Sequence, residues 1–231
     1  MKKVVDTLFI LWIILFISFL VFTGYYLYDI REENILVHRK AQQNTSQEDI
    51  VFGKDNVEHL FVLEGNIKDE VVFYAASFYF SIPEFIRTEF KKDGWQVVLT
   101  DKDISKQYYN GPVKGRLSGL ASSREKKLYV HGSRNDIRRS MIHEFGHYWD
   151  YTCGIPSTDA KFNDIYLIEK ETFYEKWKTD DHATSNSQEY FAEAFAQLIL
   201  YPNILKKNCP NTYKYLQDIV SENNTSPITN I

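Results

Sequence analysis

"RRSMIHEFGHYWDYTCG", residues 138–154, holds two histidines four positions apart, with a glutamate directly after the first. Apolar side chains recur around them at helical spacing, which predicts an amphipathic helix over residues 136–152. Asn135 or Asp136 can cap the start of this helix, and Gly154 closes its end. The rest of the chain decides whether this helix carries a metal site.

His143 and His147 lie one turn apart on the same face of the predicted helix, so their imidazole nitrogens can bind one zinc ion. Glu144 stands beside the pair without joining the ligand row, which suits a general base that acts on water. The H-E-x-x-H pattern also arises by chance in unrelated helices. The site is also one ligand short, because a catalytic zinc of this kind has three protein ligands and one open position.

The third ligand must come from outside this helix. In the metzincin class of zinc peptidases it is a histidine six residues after the second one, with a glycine midway. Asp150 and Cys153 occupy those two positions here, which excludes that class. A deformylase-like site is excluded as well, since it needs a cysteine upstream of the helix and this chain has none.

"SNSQEYFAEAFAQLIL", residues 185–200, supplies acidic candidates on a second predicted helix. Ser185 with Gln188 three residues later is a capping-box signature. The apolar stripe consists of Phe191, Phe195, Leu198 and Ile199. Glu189 and Glu193 share another face, one turn apart. We predict Glu189 as the third ligand and Glu193 as the acceptor for the free N–H of a ligand histidine, His143. One turn of helix would exchange the two roles.

Composition limits the remaining possibilities. Hydrophobic residues make up 44% of the chain and aromatic ones 16%, enough for a folded core. The formal net charge of −4, with no basic stripe, argues against nucleic acid as a partner. Cys153 and Cys209 form no C-x-x-C pair, so a thiolate metal site or a disulfide framework is not expected, and free thiols are favoured over a bridge.

The N-terminal region predicts a membrane anchor. Residues 7–28 carry no charge over a length that spans a bilayer as a helix, and they lack a signal-peptide cleavage pattern. We therefore predict an uncleaved signal anchor over residues 1–28. Lys2 and Lys3 favour a cytoplasmic N-terminus, which would place the rest of the protein outside the cell membrane.

Three further segments follow the anchor: a polar stalk (29–49), a folded domain (50–221) and a flexible tail (222–231). Within the domain we predict a helix in the segment 82–95 with Pro83 near its first turn and Gly94 just past its end, strands over 95–100 and 126–131, and a glycine-rich loop or irregular strand over 111–120. A few strands followed by a helical half indicate the α+β class.

Four blocks of the chain, "HEFGHYWD", "AKFNDIY", "QEYFAEAF" and "KKNCPNTYKYLQDIV", resemble the catalytic domain of anthrax lethal factor in order and spacing. The bacterial Pro-Pro endopeptidases share that architecture. The resemblance implies a zincin-like metalloprotease fold, with a small twisted sheet, an active-site helix and a helical C-terminal half. It also implies Zn²⁺ held by His143, His147 and Glu189, with Glu144 as the base and Glu193 behind a ligand histidine.

One position departs from the family pattern. Seven residues before the third ligand these enzymes carry a tyrosine that supports the developing oxyanion, and this chain has His182 there. An imidazole N–H can donate the same hydrogen bond. Tyr151, Tyr174 and Tyr190 are reserve candidates for this role.

These observations predict a membrane-anchored zinc metalloendopeptidase that cleaves peptide or protein substrates. An exposed strand edge within residues 115–130, before the zinc helix, would hold an extended peptide. The alternative is a weakly active or inactive zinc-binding sensor or binding module at the cell surface, for which the His182 exchange is the main support.

Overall fold

A computed structural model describes residues 57, 59–112, 115–178 and 182–225 of the chain. The predicted anchor (1–28) and stalk (29–49) lie outside the described residues, as does the end of the predicted tail. Within the described part, no helix combines the length and the apolar character that crossing a membrane requires.

The described residues form a mixed α+β structure with a small sheet and a larger helical part. The strands are β1 (Phe61–Glu64), β2 (Gln96–Thr100), β3 (Gly119–Ser122) and β4 (Lys127–His131). The helices are α1 (Asp69–Ser81), α2 (Glu84–Lys92), α3 (Ile104–Gln107), α4 (Arg134–Thr152), α5 (Ala160–Trp177), α6 (Ser187–Leu200), α7 (Pro202–Asn208) and α8 (Pro210–Thr225). A short 3-10 turn, Pro156–Thr158, precedes α5.

The four strands form one sheet in the order β1-β2-β4-β3. β1, β2 and β4 run parallel, whereas β3 pairs antiparallel with β4, placing Gly119 opposite Val130. No strand among the described residues pairs with the outer side of β3. This side therefore offers backbone N–H and C=O groups, the feature that the sequence predicted within residues 115–130.

The central strands are buried on both faces. Val97 and Leu99 of β2 belong to the main core, together with alternate residues of β4 and the buried sides of α1, α2 and α4. Val98 and Tyr129 point to the opposite face, where they pack with Ile104 of α3. The main core thus presses α4, the helix with the two histidines, against one face of the sheet.

Helix α4 begins earlier than predicted. Its N-cap is Ser133, whose side-chain oxygen accepts a hydrogen bond from the backbone N–H of Asp136, so the predicted caps Asn135 and Asp136 are wrong. Asp136 lies in the first turn, where its negative charge suits the helix dipole. The helix ends at Thr152 with Cys153 as its C-cap, and Gly154 follows with a φ of +81°, as predicted.

The N-cap of helix α6 lies one residue later than predicted. The side-chain oxygen of Asn186, and not that of Ser185, accepts hydrogen bonds from the backbone N–H groups of Gln188 and Glu189. Phe191 and Phe195 of its predicted apolar stripe are fully buried. The cap therefore fixes the backbone of Glu189 at the start of the helix.

The C-terminal helices hold α6 from behind. Glu169 of α5 is buried, and its carboxylate accepts four hydrogen bonds from the backbone and side chains of Asn211 and Thr212 in the first turn of α8. The hydroxyl of Thr212 also pairs with the hydroxyl of Tyr190 on α6, at 2.7 Å. These contacts tie α5, α6 and α8 into one body.

The predicted elements and the observed ones agree for α2, β2 and β4. No prediction covered β1 and α1, and α8 continues beyond residue 221, where the domain was expected to end. Cys153 and Cys209 are not joined by a disulfide.

Candidate active site

Two helices bring the predicted ligands together. His143 and His147 extend from α4 and Glu189 extends from α6. The carboxylate Oε2 of Glu189 lies 3.3 Å from Nε2 of His143 and 3.3 Å from Nε2 of His147. The three donor atoms lie within 4.8 Å of one another, so they can bind one metal ion together.

The cluster fits a zinc ion in two respects. Glu189 Oε2 is buried and accepts no well-aligned hydrogen bond from the described residues, although three imidazole nitrogens lie within 3.3 Å of it, so the oxygen is placed to meet a cation shared with His143 and His147. Zinc–nitrogen distances of about 2.0–2.1 Å in tetrahedral geometry separate neighbouring ligand atoms by about 3.3 Å, the distance from Glu189 to each histidine.

Glu193 lies one turn further along α6 and contacts the other side of His143. Its Oε2 is 3.1 Å from Nδ1 of His143. In the neutral imidazole, an Nδ1–H that donates to this carboxylate leaves Nε2 unprotonated and directed at the metal position. The sequence predicted Glu189 as the ligand and Glu193 as the partner of His143, with an exchange by one turn as the alternative. The structure brings Glu189 to both histidines and Glu193 to Nδ1 of His143 alone.

The carboxylates change the proton affinity of the cluster. Burial lowers the pKa of His143, but the contacts with Glu189 and Glu193 more than offset it and hold that pKa well above its ordinary value. Burial raises the pKa of Glu189, and the two histidines reverse that effect, so it is lower than usual. Binding of a metal ion at these atoms therefore releases a proton.

Glu144 lies between α4 and the edge strand. Only 6% of its surface is exposed, and the backbone N–H of Ala121 in β3 faces its carboxylate and favours the ionised form. Burial raises the pKa of Glu144, which makes the ionised carboxylate a stronger base. The residue thus stands where the histidine helix meets the free edge of the sheet.

His182 lies at the outer side of the cluster. Its Nε2 is 3.2 Å from Glu189 Oε2, and 65% of its side chain is exposed. It is not a member of the three-residue group that can share one ion. Among the reserve tyrosines, Tyr190 is buried with its hydroxyl bonded to Thr212, and Tyr151 packs beside Trp95.

The two ligand helices touch at Gly146. A Cβ atom at this position would lie 2.7 Å from the Cα and the carbonyl oxygen of Ala192 on α6, so only glycine permits this approach. Gly146 directly precedes His147, and Ala192 lies between Glu189 and Glu193. The backbone contact therefore sets the distance between the predicted ligands on α4 and those on α6.

Sequence reasoning missed Gln197, the next polar residue of the same row on α6. Its side-chain Nε2 donates to Glu193 Oε1 at 2.9 Å. The signal was present, because Glu189, Glu193 and Gln197 follow one another at intervals of four residues, the spacing of one helical face.

Histidines and a glutamate on facing helices, beside the free edge of a small mixed sheet, are the arrangement of a metalloprotease. The sequence model of the family described as "Anthrax toxin lethal factor, N- and C-terminal domain" matches residues 54–219. The chain therefore belongs to the anthrax toxin lethal factor family, which confirms the resemblance found in the sequence.

Among solved structures, the Pro-Pro endopeptidase PPEP-2 from Paenibacillus alvei is similar to this chain. The two share 23% sequence identity with a TM-score of 0.57, and the match covers 71% of this chain and 98% of that one. This likeness shows a common fold. A search of curated proteins gave no match.

Proposed function

We propose that this protein is a zinc metalloendopeptidase with a zincin-like catalytic domain. The observation that carries the proposal is the equal 3.3 Å separation of Glu189 Oε2 from the Nε2 atoms of His143 and His147. Two imidazoles and one carboxylate are a usual ligand set for catalytic zinc. Membership of the lethal factor family supports the same conclusion.

Each residue of the site has a chemical role in this proposal. Zinc, when bound, supplies a Lewis acid that acidifies water and polarises a carbonyl. Glu144 accepts the proton of the attacking water and passes it to the leaving amine. His182, exposed at the outer side of the cluster, donates a hydrogen bond to the oxyanion that develops on the substrate.

The substrate in this proposal is an extended peptide that pairs with the outer side of β3. Main-chain hydrogen bonds to this edge would position a peptide bond next to Glu144, because Glu144 already contacts Ala121 of the same strand. The structural neighbour is named a Pro-Pro endopeptidase, so peptides with paired prolines are the first ones to test. The apolar run over residues 7–28 supports an anchored enzyme that acts outside the cell membrane.

Replacing Glu144 by glutamine tests the proposal. The amide keeps the size of the side chain but cannot accept the proton, so we expect peptide cleavage to fall by roughly 10²–10⁴-fold. The zinc content should stay at that of the parent protein, because Glu144 is not one of the three ligands. Zinc is measured by mass spectrometry and cleavage with a peptide library. Cleavage at the parental rate by the variant would overturn the role of Glu144.

The second candidate function is a zinc-binding sensor without turnover. The contact between His182 and Glu189 favours it, because a nitrogen that faces a ligand carboxylate is not directed at a substrate. A parent protein that binds one zinc and cleaves no library peptide would support the sensor. Cleavage that disappears in Glu144→Gln would contradict it.

A further inference from the structure

Helix α6 turns a row of three polar side chains, Glu189, Glu193 and Gln197, toward α4. Gln197 is the deepest of them, with 7% of its surface exposed, although its neighbours on the helix are fully buried apolar residues such as Phe195. Burial of a long amide costs free energy unless its polar atoms are bonded. We therefore expect the polar atoms of Gln197 to have a function that an apolar side chain could not perform.

The contacts of Gln197 lead to the proposed metal site. Its Nε2 donates to Glu193 Oε1 at 2.9 Å, and Glu193 Oε2 lies 3.1 Å from His143 Nδ1. The opposite nitrogen of His143, Nε2, faces Glu189. A hydrogen bond to one oxygen of the Glu193 carboxylate fixes the rotation of that group, and this directs the second oxygen at the imidazole.

We propose that Gln197 is a positioning residue for the zinc site and acts on His143 through Glu193. By holding the carboxylate in place, it keeps the His143 ring oriented with Nδ1–H as the donor and Nε2 free for a metal ion. This inference rests on the proposed zinc function. It extends the hydrogen-bonded series from His143 through Glu193 to Gln197.

Only the NH₂ group of the Gln197 amide bonds to the site, through its contact with Glu193. The Oε1 atom of Gln197 is buried and has no hydrogen-bond partner among the described residues, so the acceptor half of the amide contributes no bond. A carboxylate at this position would instead place a second negative charge next to Glu193. A methionine of similar length would keep the packing and remove the donor.

The test is the zinc affinity of full-length Gln197→Met, measured by competition with a chromophoric chelator. Loss of one hydrogen bond to a charged group that supports a ligand should weaken zinc binding by roughly three- to tenfold. Gln188→Met is the matched control, since Gln188 is exposed on the same helix and should leave the affinity unchanged. An unchanged affinity in Gln197→Met would overturn the role of Gln197.

A double-mutant cycle separates positioning from packing. In a Glu193→Ala background the same Gln197→Met change should have little further effect, because the group through which it acts is gone. An equal loss in both backgrounds would mean that Gln197 only packs. If the double variant does not fold, the visible spectrum of Co²⁺ bound to Gln197→Met decides, since a reoriented histidine ligand shifts its bands and unchanged bands contradict the proposal.

The failure of this inference is distinct from the failure of the proposed function. If the parent protein binds no zinc, both the proposed zinc function and the role of Gln197 are wrong. If the parent protein binds one zinc and the Gln197→Met variant binds zinc equally tightly, only the role of Gln197 is wrong.

Discussion

Gly119 of the edge strand lies directly against the proposed base, Glu144. A Cβ atom at this position would lie 2.3 Å from Glu144 Oε1 and 2.8 Å from the Cβ of Ser140. The strand can therefore pack directly on α4, and this approach lets the backbone N–H of Ala121 reach the Glu144 carboxylate. The orientation of the base depends on the absence of a side chain at residue 119.

Gly119→Ala should impair catalysis without removing zinc. The added methyl group occupies the space of the Glu144 carboxylate, so we expect kcat to fall by roughly 10–100-fold, because a small misplacement of a catalytic group is costly. Zinc affinity should remain parental, since Glu144 is not a ligand. Steady-state kinetics and zinc competition measure the two quantities.

The neighbouring Ser122→Ala variant is the control for Gly119→Ala, because it changes the same strand away from Glu144. A parental kcat in Gly119→Ala would show that the carboxylate can move aside without loss. A loss of zinc in that variant would show that the strand supports the ligands as well.

At the scale of elements, the crossing of α4 and α6 determines which side chains meet. The two backbones touch at Gly146 and Ala192, and Ala192 is completely buried. From this contact Glu189 reaches both histidines, whereas Glu193 reaches only the far nitrogen of His143. The helix pair is thus a rigid frame for the proposed ligands.

Gly146→Ala should separate the helices. Alanine in place of glycine inside a helix normally stabilises it by about 0.5–1 kcal/mol. Here the new Cβ would lie 2.7 Å from the backbone of Ala192, and such overpacking costs about 1–3 kcal/mol. We therefore expect a net decrease in the free energy of unfolding and a zinc affinity at least tenfold weaker, because Glu189 is withdrawn from the histidines.

Urea unfolding of the metal-free protein and zinc competition test Gly146→Ala. The sign of the stability change is diagnostic, since helix propensity alone predicts an increase. A variant that is more stable than the parent and binds zinc equally well would contradict the close backbone contact.

The sequence predicted those elements whose side chains repeat with a clear period. Helices α4 and α6 combine apolar stripes with polar rows, and β2 and β4 are short runs of β-branched and aromatic residues. The exact caps were missed, because neighbouring polar residues compete for the same backbone N–H groups. Ser133 caps α4 while the carboxylate of Asp136, a predicted cap, binds Arg116.

Other features of the fold and of the site could not be predicted from a single sequence. Strand β1 has four residues, and α1 is apolar on most of its surface, so neither gives a distinct period. The H-E-x-x-H spacing predicted that His143 and His147 share a face. The choice between Glu189 and Glu193 depends on the helix crossing, and the contact of His182 with Glu189 depends on a loop conformation.

At the scale of the whole molecule, Asp136 joins three parts of the domain. Its carboxylate accepts two hydrogen bonds from Arg116, in the loop before β3, and one from Ser133, before α4. Nδ1 of His131, at the end of β4, lies 2.8 Å from Oδ2 of the same carboxylate. This cluster connects the edge strand to the sheet and to the histidine helix.

The charge of Asp136 should make the stability of the domain dependent on pH. Burial would raise the pKa of Asp136, but the bonds from Ser133 and Arg116 hold it below its ordinary value. A pKa that is lower in the folded protein than the value of about 3.9 in the unfolded chain stabilises the fold above that value. The stabilisation is lost as the pH falls through the folded pKa.

Asp136→Asn should therefore lower the free energy of unfolding by about 1–3 kcal/mol at neutral pH, because Arg116 loses its charged partner. The difference from the parent should shrink as the pH falls below about 4, the pKa of the unfolded chain, and through the lower pKa of the folded carboxylate. Urea unfolding across this range measures both effects, with Asp164→Asn, an exposed aspartate of α5, as the control. A difference that stays constant down to the lowest pH would mean that Asp136 stabilises the fold by its shape and hydrogen bonds alone, without its charge.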